Sequence, residues 1–239
     1  MAGGYYTALS GMQARLETLD RLASDIANSG TAGYKAERAT TTEAPRPSFG
    51  AELQSAIDVA GSASQLDLRA GTSTSTGRPL DVTIEGDGFF VVATDAGERY
   101  TRNGRFERRA DGVLATPDGQ AVLGESGPIT LGTGIVQIDP DGTVRHAGAV
   151  AGKLRVVSFD DTTRLARETS LRMRNEGPAP KVIERPTLAS GALEQSNVSI
   201  VERLAELTTA SRSFESLQRA LSVLMNEVDN RAINELGRR

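Results

Sequence analysis

Residues 78–92 read RPLDVTIEGDGFFVV. Leu80, Val82 and Ile84 alternate with polar neighbours, which is the period of a half-buried strand. Gly86, Asp87 and Gly88 then form a turn, and Phe89 and Phe90 lead into a second apolar run. As a cluster, Leu80, Asp81, Gly86, Asp87, Gly88, Phe89 and Phe90 read as hairpin core rather than as a ligand site. The same grammar continues downstream. Asn103-Gly104, Asp111-Gly112, Asp118-Gly119 and Asp141-Gly142 supply the positive φ angles of tight turns. Between them, 80–84, 89–93, 98–100, 113–115, 135–138, 143–145 and 154–159 are candidate strands. Their spacing of roughly 8–12 residues predicts a compact all-β domain over 79–193.

Outward from this block the pattern changes. Residues 40–77 are rich in Thr, Ser, Ala, Gly and Pro and are read as part of an extended connector, 36–78. On either side lie amphipathic stripes. Tyr5, Leu9, Met12, Leu16, Leu19, Ala23 and Ile26 recur at alternating spacings of four and three, and the helix is expected to stop near Asn28. Leu207, Ala210, Phe214, Leu217, Leu221, Leu224 and Val228 repeat the pattern in a second helix, expected from about Glu194 with Ser196 or Asn197 as N-cap. Each stripe reads as a narrow coiled-coil-like seam. At roughly 1.5–3 kcal/mol per fully covered side chain, neither seam is stable if left in water. The expected fold class is therefore α+β: residues 1–35 and 194–239 form a coiled-coil-like helical domain, joined by the connector to the central all-β domain.

Composition narrows the function. Only 4% of the 239 residues are aromatic and none is Trp, so a modest core is expected. A net charge of −4 argues against nucleic acid. Cysteine is absent, which removes disulfides and thiolate metal sites. No apolar run approaches the ~18 residues of a membrane span, and the first twenty residues lack the layout of a secretory signal. One histidine, His146, stands beside a turn, and no pattern of a nucleophile with its base is present. Glu85 with Asp87, and Asp160 with Asp161, read as turn carboxylates rather than an acid pair or calcium corner. No enzyme activity, cofactor or metal is expected.

Three segments together resemble the flagellar basal-body rod and hook family. The first is ALSGMQARLETLDRLASDIANSGTAGYK, 8–35, with Ile26, Ala27, Asn28, Thr31, Gly33, Tyr34 and Lys35 at the family's signature places. The second is 78–124, with its LDV, GDGFF and YTR-G-F elements. The third is LEQSNVSIVERLAELTTASRSFESLQRAL, 193–221. Asn28-Ser29-Gly30 departs from the family's usual Asn-Val-Asn. The ending NEVDNRAINELGRR is similar to the proximal rod member more than to the distal one.

The resemblance implies a structural subunit of the bacterial flagellar basal body, in the periplasmic rod. It implies export by the flagellar type III apparatus without a cleaved signal, and assembly with copies of itself and with other proximal and distal rod proteins into the axial shaft that carries torque. Leu9, Met12, Leu16, Leu19, Ile26, Asn28, Leu207, Phe214, Leu217, Leu221, Leu224 and Val228 are the expected assembly interface. Two other readings stand beside this one: the distal rod paralogue, or a non-flagellar β-domain binding module on a helical stalk.

Overall fold

The computed structural model describes residues 2–39, 64–160 and 162–236. Among the described residues there are two α-helices, α1 (Ala2–Ala27) and α2 (Ile200–Leu236), and nineteen short strands. The chain divides into two compact units, one built on α1 and α2, the other on Asn28–Arg38 and Gln65–Val198. No helix among the described residues is long and apolar enough to cross a membrane.

The expected fold class is corrected. The chain is predominantly β, and its helices do not form a coiled-coil-like domain around a β insert. Two physical reasons account for the difference. The stretch read as a connector itself carries strands, at Glu37–Ala39, Ser64–Leu66 and Ser73–Ser75, because strands distant in sequence supply partners: Glu37–Ala39 pairs with Ser64–Leu66, and Ser73–Ser75 with Ala192–Glu194. In α1 the heptad stripe is also only partly covered, with Met12, Leu19 and Ile26 half-buried. Leu16 is 47% exposed and Ala23 is exposed, whereas Leu22 and Asp25 are buried at 2% and 0%. Asp25 sets that rotation: a carboxylate out of water needs a cation, and Arg203 of α2 places Nε 3.1 Å from it. Most of residues 40–77 (40–63), and Asp161, lie outside the described residues.

In the β unit the pairings among the strands from Ser73 onward are antiparallel. Phe89–Thr94 is central to the largest sheet, between Gly97–Thr101 and Ala121–Gly124. Successive side chains on this strand serve two cores. Phe90 and Val92 join Val82, Ile84, Phe106, Leu114, Val122 and Leu154, while Phe89 and Val91 join Tyr100, Leu123, Val157 and Met173. A strand covered on both faces must be apolar throughout, which explains the unbroken FFVV. Edge-to-face ring contacts anchor each side: Phe90 to Phe106 at 5.1 Å, and Tyr100 to Phe159 at 4.8 Å.

Late strands fold back onto early ones. Val82–Glu85 pairs with Thr187–Ser190, and Ser73–Ser75 pairs with Ala192–Glu194. A separate three-stranded sheet, Val136–Ile138, Thr143–His146 and Ala149–Lys153, packs Ile138 and Val144 onto the first core.

Candidate functional site

Two places gather the motif residues, one in each unit. In the helical unit, Met12, Leu19 and Ile26 on α1 and Leu207, Phe214 and Leu217 on α2 are half-buried. Leu204, Ile200 and Val201 remain 45%, 48% and 79% exposed. Among the described residues Leu22 of α1 and Ala210 of α2 are the buried apolar side chains of the pair, and the Arg203 guanidinium bridges Asp25 and Glu206. The expected interface positions Leu9, Leu221, Leu224 and Val228 have side chains outside the described residues. Asn28 ends α1, its carbonyl accepting from the Thr31 amide at 3.0 Å.

The second place is a buried ion cluster in the β unit that sequence reasoning did not select. Lys35 is wholly buried, and its ammonium donates to the Glu194 carboxylate at 2.5 Å and to the Arg69 carbonyl at 2.8 Å. The other Glu194 oxygen lies 3.4 Å from Arg102, itself 4% exposed, and the Gly71 amide donates to Glu194 at 3.0 Å. Arg102 also donates to the Gly86 carbonyl at 2.8 Å and lies over the Phe89 ring. Burial pulls the Lys35 ammonium below its ordinary pKa, and the Glu194 hydrogen bond and charge oppose the shift. Arg102 is pushed the same way by the same cause, again opposed by Glu194.

Around this cluster the backbone is clasped. The Gly33 amide donates to the Glu194 carbonyl at 2.8 Å, and the Asn197 amide to the Tyr34 carbonyl at 3.4 Å. Asn197 is not a helix cap. Its side chain accepts from the Ala36 amide at 2.8 Å and donates to the carbonyls of Asp67 and Arg69, so α2 begins only at Ile200. Gly33 holds φ +72°, and a Cβ there would strike the Asn103 backbone. Arg167 closes the outer side, stacked on the Tyr34 ring and bonded to Glu37 and to the Lys35 carbonyl. Asp67 is held by Arg69 and Arg38, and the Arg69 hydrogen bonds draw its pKa below the ordinary carboxylate value.

The β-motif residues serve packing and turns. Leu80 is half-buried against the first core, and its carbonyl accepts from the Phe106 amide. Asp81 is buried, its backbone forms an isolated antiparallel bridge with that of Arg105, and its carboxylate lies 3.8 Å from the Arg78 guanidinium. Gly86 and Gly88 take positive φ, with Asp87 exposed between them. Asp160 pairs with Lys181, and the His146 ring rests against Gly132 and Gly134. Lys35, Arg102, Glu194 and Asn197 were within reach of the sequence. All four fall inside the three segments that carry the family resemblance.

Comparison with known proteins shows what the chain is similar to. Residues 83–146, which include Arg102, match the family described as flagellar hook protein FlgE/F/G D1 domain. Residues 189–234, which include Glu194 and Asn197, match flagellar basal body rod FlgEFG protein C-terminal. The chain is 32% identical over 244 residues to the flagellar basal-body rod protein FlgF of Caulobacter vibrioides, covering 100% of this chain and 99% of that one. It is 31% identical to FlgF of Escherichia coli, covering 91% and 92% of the two chains. It is also 31% identical to the basal-body rod protein FlgG of Bacillus subtilis, covering 90% and 92%.

Proposed function

The chain belongs to the flagellar basal-body rod protein family, and from that membership we infer how its two units divide the work of a rod subunit. Family membership makes it a structural, FlgF-like component of the basal body that assembles with other rod proteins, not an enzyme. Our reading adds a mechanism. The subunit sits in the periplasmic part of the rod, reached through the flagellar type III export apparatus. It assembles with copies of itself and with neighbouring rod proteins through α1 and α2, and the β unit adds lateral contacts. Stacked in this way, the subunits carry torque along the axis.

One observation carries the reading. Among the described residues of the helical unit, Leu22 and Ala210 are the buried apolar side chains, while Leu16, Ile200 and Leu204 stay about half exposed and Val201 more so. Surface of this kind, gathered on one unit, marks a place where another chain packs. By contrast, the β unit closes two cores of its own and needs no partner to fold.

The test replaces Leu217 and Leu221 with Asp in the full chain. The β unit is expected to unfold at its usual denaturant concentration, while incorporation into purified basal bodies and swimming are both lost. Normal swimming by this variant refutes the assignment of the helices as the assembly surface.

A further inference from the structure

The ion cluster of the β unit has an open flank. A cavity of about 230 Å³ is lined by Arg102 and by Asp87, the exposed residue of the 86–88 turn. The Arg102 side chain is 4% exposed, yet its charge is poorly compensated. Lys35 holds the shared Glu194 carboxylate at 2.5 Å and leaves Arg102 a contact of 3.4 Å. Another guanidinium nitrogen donates to the Gly86 carbonyl at 2.8 Å, and the buried Nε has no acceptor among the described residues. A buried guanidinium short of acceptors favours a carboxylate brought close to it.

Asp87 supplies the opposite charge. It acts on Arg102 through space, but among the described residues it makes no ion pair with Arg102 or with any other cation. Two opposite charges therefore line one cavity without touching. The other walls are of two kinds. Leu68, Phe89 and Phe159 are apolar, the two rings meeting edge to face at 5.6 Å. Ser158, at the end of the strand Val156–Ser158, and Thr162, at the start of the single helical turn Thr162–Arg164, bring one hydroxyl each. The volume falls below the roughly 300–1,000 Å³ of pockets that take drug-sized ligands, which sets the scale of the occupant at a few heavy atoms.

We propose that this cavity binds a free α-amino acid with an apolar side chain, its carboxylate facing Arg102, its ammonium facing Asp87 and its side chain against Leu68, Phe89 and Phe159. One zwitterion then compensates both charges at once. A simple anion would meet Asp87 as like charge, and a simple cation would meet Arg102 in the same way. A peptide bond at either end removes one of the two charges, so the unit recognised is the single amino acid. The site contains no residue of either helix, and it stands apart from the assembly surface assigned above.

The test titrates L-leucine into the full chain by calorimetry, with amide shifts at Gly86 and Gly88 reporting where it binds. Saturable binding is expected, with shifts at both turn amides. N-acetyl-leucine, which lacks the ammonium, and leucine amide, which lacks the carboxylate, are each expected to bind at least about tenfold more weakly. Glycine, with no side chain for the apolar wall, is expected to weaken by a similar factor. Asp87→Asn, at an exposed position where the fold is kept, should weaken leucine at least about tenfold and leave N-acetyl-leucine no weaker than before. Equal binding of leucine and N-acetyl-leucine overturns the proposal, since the cavity is then a plain anion site. No saturable shift at the turn amides up to about 10 mM leucine, or unchanged leucine affinity in Asp87→Asn, overturns it equally. The family reading is judged separately, by whether the wild-type chain is present in purified basal bodies.

Discussion

Glu194→Gln is the substitution that probes the clasp most sharply. The carboxylate it neutralises touches Lys35 at 2.5 Å and Arg102 at 3.4 Å, and these two cations are 0% and 4% exposed. The variant keeps the shape of the side chain and leaves two buried positive charges facing an amide. Breaking a buried pair by removing one partner costs about 3–5 kcal/mol, a large part of the 5–15 kcal/mol typical of a domain. Lys35→Met should cost less, about 1–3 kcal/mol, because Glu194 keeps Arg102 and the Gly71 amide, and the methionine fills the stem's place. The two substitutions together should cost less than their sum, since each removes the reason the other is harmful. The pH dependence follows from the sign of the Lys35 shift. With its pKa lowered in the folded chain, the unfolded chain binds more protons at alkaline pH, so stability rises as pH climbs toward the ordinary lysine value. Removing Glu194 strengthens that shift, so the penalty of Glu194→Gln should shrink as pH climbs toward the ordinary lysine value. Guanidinium unfolding of the full chain, read together with amide exchange at Gly33 and Ala36, gives all three numbers. A Glu194→Gln chain within about 1 kcal/mol of wild type, or one less damaged than Lys35→Met, would falsify this account of the cluster.

Two further outcomes are expected at the same clasp. Gly33→Ala forces a side chain into left-handed backbone and against Asn103, and should cost about 2–4 kcal/mol in the same unfolding assay; a neutral result refutes the close approach. Asp67 has a pKa drawn down chiefly by Arg69, so its contribution is full above about pH 4 and is lost as pH falls through its lowered value. Asp67→Asn should therefore cost about 1–2 kcal/mol at pH 7, with the difference from wild type fading below pH 4; a difference that persists in acid contradicts the ionic origin.

What the sequence disclosed depended on whether a residue's signal was local. Alternation and Asp-Gly turns are local, and the runs at 89–93, 98–100 and 143–145 do carry strands. The FFVV run was visible as a strand, but its burial on both faces depends on partners such as Phe106 and Phe159, which only the folded chain brings close. The heptad stripe misled because α1 answers to one charged neighbour. Asp25 falls outside the stripe, yet its pairing with Arg203 decides which side chains turn inward, and no spacing rule anticipates a contact 178 residues away (203 − 25). Lys35 and Glu194 were likewise quoted within motifs without any hint that they meet.

That meeting explains why the recognisable segments sit so far apart in sequence. Gly33, Tyr34, Lys35 and Ala36 follow closely on α1, and Glu194 and Asn197 come shortly before α2. The clasp brings these two stretches within single hydrogen bonds of each other and ties both to Arg102 of the central sheet. An apolar contact could hold them as strongly, because burying three charges gains little over packed hydrocarbon. Charges differ in what a misplacement does. Sliding either stretch by one residue would bury Lys35 or Arg102 without its carboxylate, a penalty that a greasy seam does not impose. The cluster therefore selects one register for these two stretches. The double variant Lys35→Met with Glu194→Leu separates the two roles. It should recover much of the stability lost in Glu194→Gln, by about 1–3 kcal/mol, while amide exchange at Gly33 and Ala36 stays faster than in the wild type. Wild-type protection in that variant would show that packing alone fixes the register.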